Sequence, residues 1–215
     1  MSENYSPKQI DIMQKALKLF AEKGYHNSSV RDIAKEAGVN IAMISYYFGS
    51  KDKLLEAIFS RHIAAMNQKL NEIVKDKMHD PVEKVALIID TYIDAITENK
   101  DFHSLMQRQL MVLREGVLFD SIRRMKAQNR NLLQSAIKAG VKAGYFRKNT
   151  DINMLANTLF GTVNQTFSNR RYLEEVYGID IDDDAAFEKV VIQKLRNHLK
   201  AMFQSFLTYE QSNKK

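Results

Sequence analysis

Residues Ala37–Leu55 read AGVNIAMISYYFGSKDKLL. A helix whose apolar stripe is already supplied by Val39, Ile44 and Phe48 also carries two adjacent tyrosines, and a lysine opens the next helix. Asn40 can cap a short helix from Ile41 to Phe48, bracketed by Gly38 and Gly49. Asn40, Ser45, Tyr46, Tyr47 and Lys51 are then left without a packing role. Lys51 is the most telling of them. A lysine in the first turn of a helix opposes the helix dipole, at a cost of about 0.3–1 kcal/mol. An anion bound at that helix start would offset the cost, because first-turn N–H groups and a lysine together form a phosphate site.

The sequence upstream supplies the rest of such a unit. Ser6-Pro7-Lys8-Gln9 is a capping box with proline at the first helical position, and Ile12, Ala16, Leu19 and Phe20 recur at helical spacing up to Gly24. A second helix starts near Ser28-Ser29, buries Val30, Ile33, Ala34 and Ala37, and stops at Gly38. Two short helices joined by a tight glycine turn form a helix-turn-helix, which presents its second helix outward. On that helix Ile44 and Phe48 point inward, and Ile41, Ala42 and Ser45 outward, with Tyr46 and Tyr47 at the edges. Small side chains at its start suit the major groove, about 12 Å wide, and tyrosine hydroxyls can donate to phosphates. Ser29 offers a phosphate the same arrangement at the start of the second helix. Taken singly, Tyr46, Tyr47 and Lys51 are better read as solvated surface. Their convergence on one capped helix favours nucleic acid.

Composition sets the frame. The chain has 215 residues, 45% hydrophobic and 27% charged, with no cysteine, two prolines and eight glycines. Disulfides and thiolate metal sites are excluded, and mostly helix is expected. No apolar run reaches the roughly 18 residues needed to span a bilayer, and the N-terminus MSENYSPKQ is no signal peptide. A soluble, cytoplasmic protein is therefore expected. The formal charge of +6 is unevenly spread: residues 1–60 hold eight Lys/Arg and seven Asp/Glu, whereas residues 103–148 hold ten and two. Net charge alone does not point to the N-terminus as a nucleic-acid binder.

Beyond a long fourth helix, Lys51 to about Asp76, Asp80-Pro81-Val82-Glu83 is another helix start. Further helices are expected over 82–98, 102–114, 117–143, 151–172 and 185–208. The loop Tyr177–Asp184 carries four aspartates ahead of the last helix, whose N-terminal dipole they suit. The last two helices carry broad apolar stripes, Leu159 and Val163 on one, Phe187, Val191, Leu195, Leu199, Met202 and Phe206 on the other. These fit either an intramolecular core or a two-fold dimer interface.

IDIMQKALKLFAEKGYHNSSVRDIAKEAGVNIAMISYYFGSKDKLLEAIF resembles the N-terminal DNA-binding domain of the TetR family of bacterial transcriptional regulators. The likeness lies in A-x-x-L-F-x-x-x-G-Y, S-V-x-x-I-A-x-x-A-G-V and Y-Y-F-G-S-K. The resemblance implies an all-α protein with a helix-turn-helix domain at 7–66 (motif about 29–48) joined to a helical ligand-binding and dimerisation domain at 67–215. It places Ser29, Tyr47 and Lys51 on phosphate-contact positions, and Arg31, Asn40, Ile41, Ala42, Ser45 and Tyr46 on positions facing bases or nearby backbone. Ser45 stands where many members carry tyrosine, so its contact is shorter here. The implied function is a dimeric repressor on a DNA operator, its heads about 34–36 Å apart in successive major grooves, released by a small-molecule effector. The resemblance moves the late stripes toward dimerisation, with Ala156, Gly161 and Thr162 allowing close approach.

Candidate effector-pocket residues are Tyr92, His103, Met106, Gln107, Leu110, Arg114, Phe119, Asn164 and Phe167, which combine apolar walls with a few polar groups. Met, Phe and Leu at helical spacing are more often ordinary core, and the basic excess over 103–148 is better read as a solvated helix face than as an attractor of an anionic ligand. Arg114 is the candidate partner for a ligand carboxylate or phosphate. No cofactor is implied. An enzyme is disfavoured: there is no H-E-x-x-H, no Glu-x-x-His pair, no Walker or G-x-G-x-x-G loop and no cysteine nucleophile. The alternative function is a helical DNA-binding or protein-interaction module without operator specificity, whose affinity would fall steeply with salt.

Overall fold

The computed structural model describes residues 5–180 and 183–208. Among these every regular element is helical: α1 Pro7–Lys23, α2 Val30–Glu36, α3 Ile41–Phe48, α4 Lys51–Lys75, α5 Pro81–Glu98, α6 Lys100–Val112, α7 Val117–Lys142, α8 Ile152–Ser168, α9 Arg170–Tyr177, α10 Asp184–Phe187 and α11 Gln193–Leu207, the last two joined by a π-helical turn at Glu188–Ile192. Local chemistry sets most of the starts. Gln9 N donates to Ser6 Oγ while Ser6 N donates to the Gln9 side chain, so the α1 capping box is closed. Val82 N and Glu83 N donate to Asp80 Oδ1, and Asp80 N donates to Glu83 Oε2, which starts α5 in the same way.

The chain forms two compact units. The first is the described part of Met1–Gln68 together with Ala95–Ala127. Its core holds Ile12, Ala16, Phe20, Ile33, Ile44, Phe48, Leu54, Ile58 and Phe59 from the first four helices. Leu105, Met106, Ile122 and Met125 from α6 and α7 belong to the same cluster. Arg108 Nη1 adds a polar tie between α6 and α1, donating to Ala21 O at 2.7 Å. His62 of α4 stacks on Phe102 of α6, ring centroids 4.2 Å apart, and burial lowers its pKa to about 4.

The second unit is Lys69–Asp94 with the described part of Gln128–Lys215. Its buried side chains include Ile88, Ile89, Ile93, Leu133, Ile137, Phe146, Leu159, Val163, Phe187, Leu199 and Phe203. Phe146 lies so close to Gly140 that a Cβ there would fall 2.2 Å from its ring. On α11, Arg196 pairs with Asp90 at 3.2 Å and with Asp94, and Lys200 reaches Asp90 at 2.5 Å.

Three sequence expectations are corrected. The helix expected over 151–172 stops at Ser168, and Asn169 separates it from α9. The helix expected over 185–208 contains the π-helical turn. Tyr177 belongs to α9, which ends on the left-handed Gly178, and Asp183 rather than the whole aspartate run caps the last helix, accepting from Ala186 N at 2.9 Å. Asp182 lies outside the described residues.

The dimer assignment needs a larger correction. Leu159, Val163, Phe187, Val191, Leu195 and Leu199 are all buried within a single chain, none more than 7% exposed. They form the core of the second unit, and a partner cannot cover what is already covered. Of the named stripe, Met202 is half-buried and Phe206 is 54% exposed.

Candidate functional site

The helix-turn-helix is built by short-range capping around a long-range core. Asn40 Oδ1 accepts from Ala42 N at 3.0 Å and starts α3, and Gly49, with φ of 79°, ends it. Ile44 and Phe48 sink into the first unit's core, and Tyr47 is half-buried against it. Asn40, Ile41, Ala42, Ser45 and Tyr46 are exposed, with Tyr46 at 83%. The Tyr46 and Tyr47 rings meet edge to face at 5.2 Å. An 83% exposed tyrosine forgoes the burial that makes aromatic residues stabilising, so the fold gives Tyr46 no packing role. Arg31 is exposed on α2.

The two flanks differ from the sequence expectation. At the start of α2, Asp32 N donates to Ser29 Oγ at 3.1 Å, and Ser29 Oγ donates to Asp32 Oδ2 at 2.5 Å. The Ser29 hydroxyl and Ser29 N, which also donates to Asp32 Oδ2 at 2.9 Å, hold the Asp32 carboxyl below the usual carboxylate range. The Ser29 hydroxyl is thus engaged inside its own capping box. At the start of α4, Lys51 Nζ donates to Tyr25 O at 3.0 Å and Ser28 O at 2.9 Å and sits 4.3 Å from the Tyr25 ring centre. The reasoning that an anion must explain this lysine is therefore corrected: two backbone carbonyls of the α1–α2 turn already engage its charge. One of its three N–H donors remains for a further acceptor.

Tyr25 and Asp52 are the residues that sequence reasoning missed. The Tyr25 hydroxyl donates to the Asp52 carboxylate, and burial together with this bond pushes the phenol pKa upward. Its ring packs edge to face on Phe20 at 5.2 Å. The pair fastens the turn before α2 to the first turn of α4, setting the position of the helix-turn-helix between them. Only the Gly24-Tyr25 dipeptide hinted at it.

The nine effector-pocket candidates divide between the units. His103, Met106, Gln107, Leu110, Arg114 and Phe119 lie in the first. Met106 packs into its core, Gln107 Nε2 is 3.3 Å from His103 Nε2, and Arg114 is exposed on the connection between α6 and α7. Tyr92, Asn164 and Phe167 lie in the second, where Asn164 Nδ2 donates to the Tyr92 hydroxyl at 3.4 Å and the Tyr92 ring is 4.8 Å from that of Phe160. Desolvation pushes the Tyr92 phenol up to about 12. Asn129 was not anticipated. It is 6% exposed on α7, and its Oδ1 has no hydrogen-bond partner among the described residues. A buried, unpaired acceptor is costly, and nothing in the sequence separates Asn129 from the solvated polar residues of the same helix. Among the described residues no cluster of potential ligands could hold a metal ion, and no helix is long and apolar enough to cross a membrane.

With this geometry in place, comparison with known proteins decides the family. The profile of bacterial regulatory proteins of the tetR family matches residues 12–58, and that of the tetracyclin repressor-like C-terminal domain matches residues 81–205. The chain belongs to the TetR family. This TetR-family chain is a DNA-binding transcriptional regulator, and α1 to α3 form its reading head. It is 26% identical over 187 residues to the fatty acid metabolism regulator protein of Bacillus subtilis, covering 86% of this chain and 94% of that one. The crystal structure of FadR from Bacillus subtilis in complex with stearoyl-CoA has the same fold, with a TM-score of 0.71, 23% identity and coverage of 91% and 97%. So does the ketosteroid regulator KstR2 of Mycobacterium tuberculosis, with a TM-score of 0.74, 19% identity and coverage of 96% and 98%.

Proposed function

We propose that this regulator is a homodimeric repressor, acting in the cytoplasm, that holds an operator through α3 of each copy and releases it when a small molecule binds. The observation that carries the reading is the outward face of α3, capped at both ends and rigidly seated, on which Ile41, Ala42, Ser45 and Tyr46 have no other task. In this reading residues 7–66 bind DNA and residues 67–215 bind the effector and the second copy. Arg31, Asn40, Ile41, Ala42, Ser45 and Tyr46 face bases or the nearby backbone, and Ser29, Tyr47 and Lys51 face phosphates. For Ser29 this requires its hydroxyl to turn from Asp32, and for Lys51 it uses the third N–H. The copies would meet on surface that one chain leaves open, such as Phe206 and the α8–α9 groove of about 620 Å³ lined by Gly161, Thr162, Gln165 and Tyr172.

The effector class we propose is a long-chain acyl thioester, supported by similarity over most of both chains to the Bacillus subtilis fatty acid regulator and by the stearoyl-CoA in the related FadR structure. Tyr92, Asn129 and Asn164 would supply its polar contacts. The test is fluorescence anisotropy at physiological salt, using DNA from upstream of the protein's own gene and a shuffled duplex, followed by titration with stearoyl-CoA. Binding to the native duplex alone, reversed by micromolar stearoyl-CoA, is the expected result. Equal, salt-sensitive binding to both duplexes would favour a module without operator specificity.

A further inference from the structure

We infer that α3 reads its half-site through thymine methyl groups, so that the base pairs beneath it are A·T-rich and include no required guanine. The inference rests on the operator-binding reading above. The major groove is read by a limited code: guanine by arginine or lysine, adenine by asparagine or glutamine in a two-point contact, cytosine by a carboxylate, and the thymine methyl by an apolar side chain. The helix IAMISYYF carries no acidic, basic or carboxamide side chain. Its outward residues are Ile41, 41% exposed, Ala42, Ser45 and Tyr46. Of the four modes it therefore offers the apolar one. Ser45 can donate or accept, so its hydroxyl discriminates weakly.

The neighbouring polar groups do not restore the other modes. A two-point contact with adenine needs both the oxygen and the nitrogen of an asparagine. Asn40 Oδ1 already accepts from Ala42 N as the cap just before α3, so a two-point contact with adenine would have to share that oxygen with the helix start. Lys51 spends two of its donors on backbone carbonyls. Arg31 stands on α2, outside the reading helix, which confines guanine reading to the flank of the half-site. Eight residues of α-helix are about 12 Å long, which matches three to four base pairs at about 3.4 Å each. The half-site should thus have a core of that length in which thymine methyl groups meet Ile41, Ala42 and the Tyr46 ring.

The experiment begins by selecting binding sites for the full-length protein from a random duplex pool. Each thymine of the enriched half-site is then replaced in turn by deoxyuridine, which removes the methyl group and keeps the base pair. We expect three to four consecutive A·T pairs and roughly fourfold weaker binding for each contacted methyl lost, the worth of burying one such group. Ile41→Ala should abolish the thymine–uracil difference at one position and keep it at the others. A core containing guanines whose replacement by 7-deazaguanine weakens binding would overturn the inference. So would an A·T core indifferent to uracil, since specificity would then lie in DNA shape. Either result leaves the regulator reading intact, whereas a selection that enriches nothing overturns both.

Discussion

Replacing Lys51 by methionine keeps the aliphatic stem and removes the charge. The lysine makes two hydrogen bonds to carbonyls, at 3.0 and 2.9 Å, and a cation–π contact at 4.3 Å. A hydrogen bond from a charged group contributes about 1.5–3 kcal/mol, and a cation–π contact at an exposed site about 0.5–1 kcal/mol. Two effects reduce that sum. The turn can relax toward water at its exposed His26 and Asn27, although Tyr25 and Ser28 themselves are buried, and a cation leaves the unfavourable N-terminal end of α4, which returns about 0.3–1 kcal/mol. The net loss should be about 2 kcal/mol, or a fall in Tm of about 4–8 °C for a chain of this size. Differential scanning calorimetry measures it, with Lys53→Met as the control. Lys53 is exposed and undergoes the same charge change two residues away, with an expected shift within about 0.5 kcal/mol. Equal shifts for the two variants would refute the assignment of Lys51 as the clamp on the α1–α2 turn, and would return it to the solvated surface.

Three further expectations concern other parts of the molecule. Gly140→Ala should lose about 1–3 kcal/mol in urea unfolding, because its Cβ would sit 2.2 Å from the buried Phe146 ring; an unchanged midpoint would show that the ring yields freely. Asn129→Leu should be neutral or stabilising in the effector-free protein and should weaken the response to stearoyl-CoA, since it removes a buried unpaired acceptor. A large drop in Tm would mean that Asn129 has a partner after all. His62 has a folded pKa of about 4, below its ordinary 6.5, so the unfolded chain binds the proton more tightly. Its contribution is therefore fully present above about pH 6.5 and is lost as pH falls, by about 1 kcal/mol at pH 5.5 and about 3 kcal/mol at pH 4. His62→Phe should lose that extra acid sensitivity in urea titrations run against the parent protein.

What could be read from the sequence was local. The bounds of α1 and α3 follow from Ser6, Asn40, Gly24 and Gly49, whose capping chemistry operates within a few residues of itself, and the match to family motifs identified the reading head. What could not be read was tertiary. The carbonyls that hold Lys51 belong to Tyr25 and Ser28, more than twenty residues upstream, so the lysine looked unsatisfied when it was not. Apolar stripes on α8 and on the run from α10 to α11 have the same spacing whether they face their own chain or another. Only accessibility showed that Leu159, Val163, Phe187, Val191, Leu195 and Leu199 are core. Asn129 differs from its solvated neighbours in orientation alone.

The core that seats the reading head has a consequence for biosynthesis. Leu105, Met106, Ile122 and Met125 complete the hydrophobic cluster begun by Ile12, Phe20 and Phe48. A ribosome that has released the first 68 residues has therefore delivered the whole DNA-reading motif without all of its support. At about 5–20 residues per second, the missing pieces follow roughly 3–12 s later, and the second unit's first segment emerges in the interval. The nascent head must wait with part of its apolar surface uncovered, exposed to chaperones and proteases. A polypeptide stopped at residue 68 would remain in that condition, so DNA binding should be acquired late in synthesis rather than when its own helices first appear.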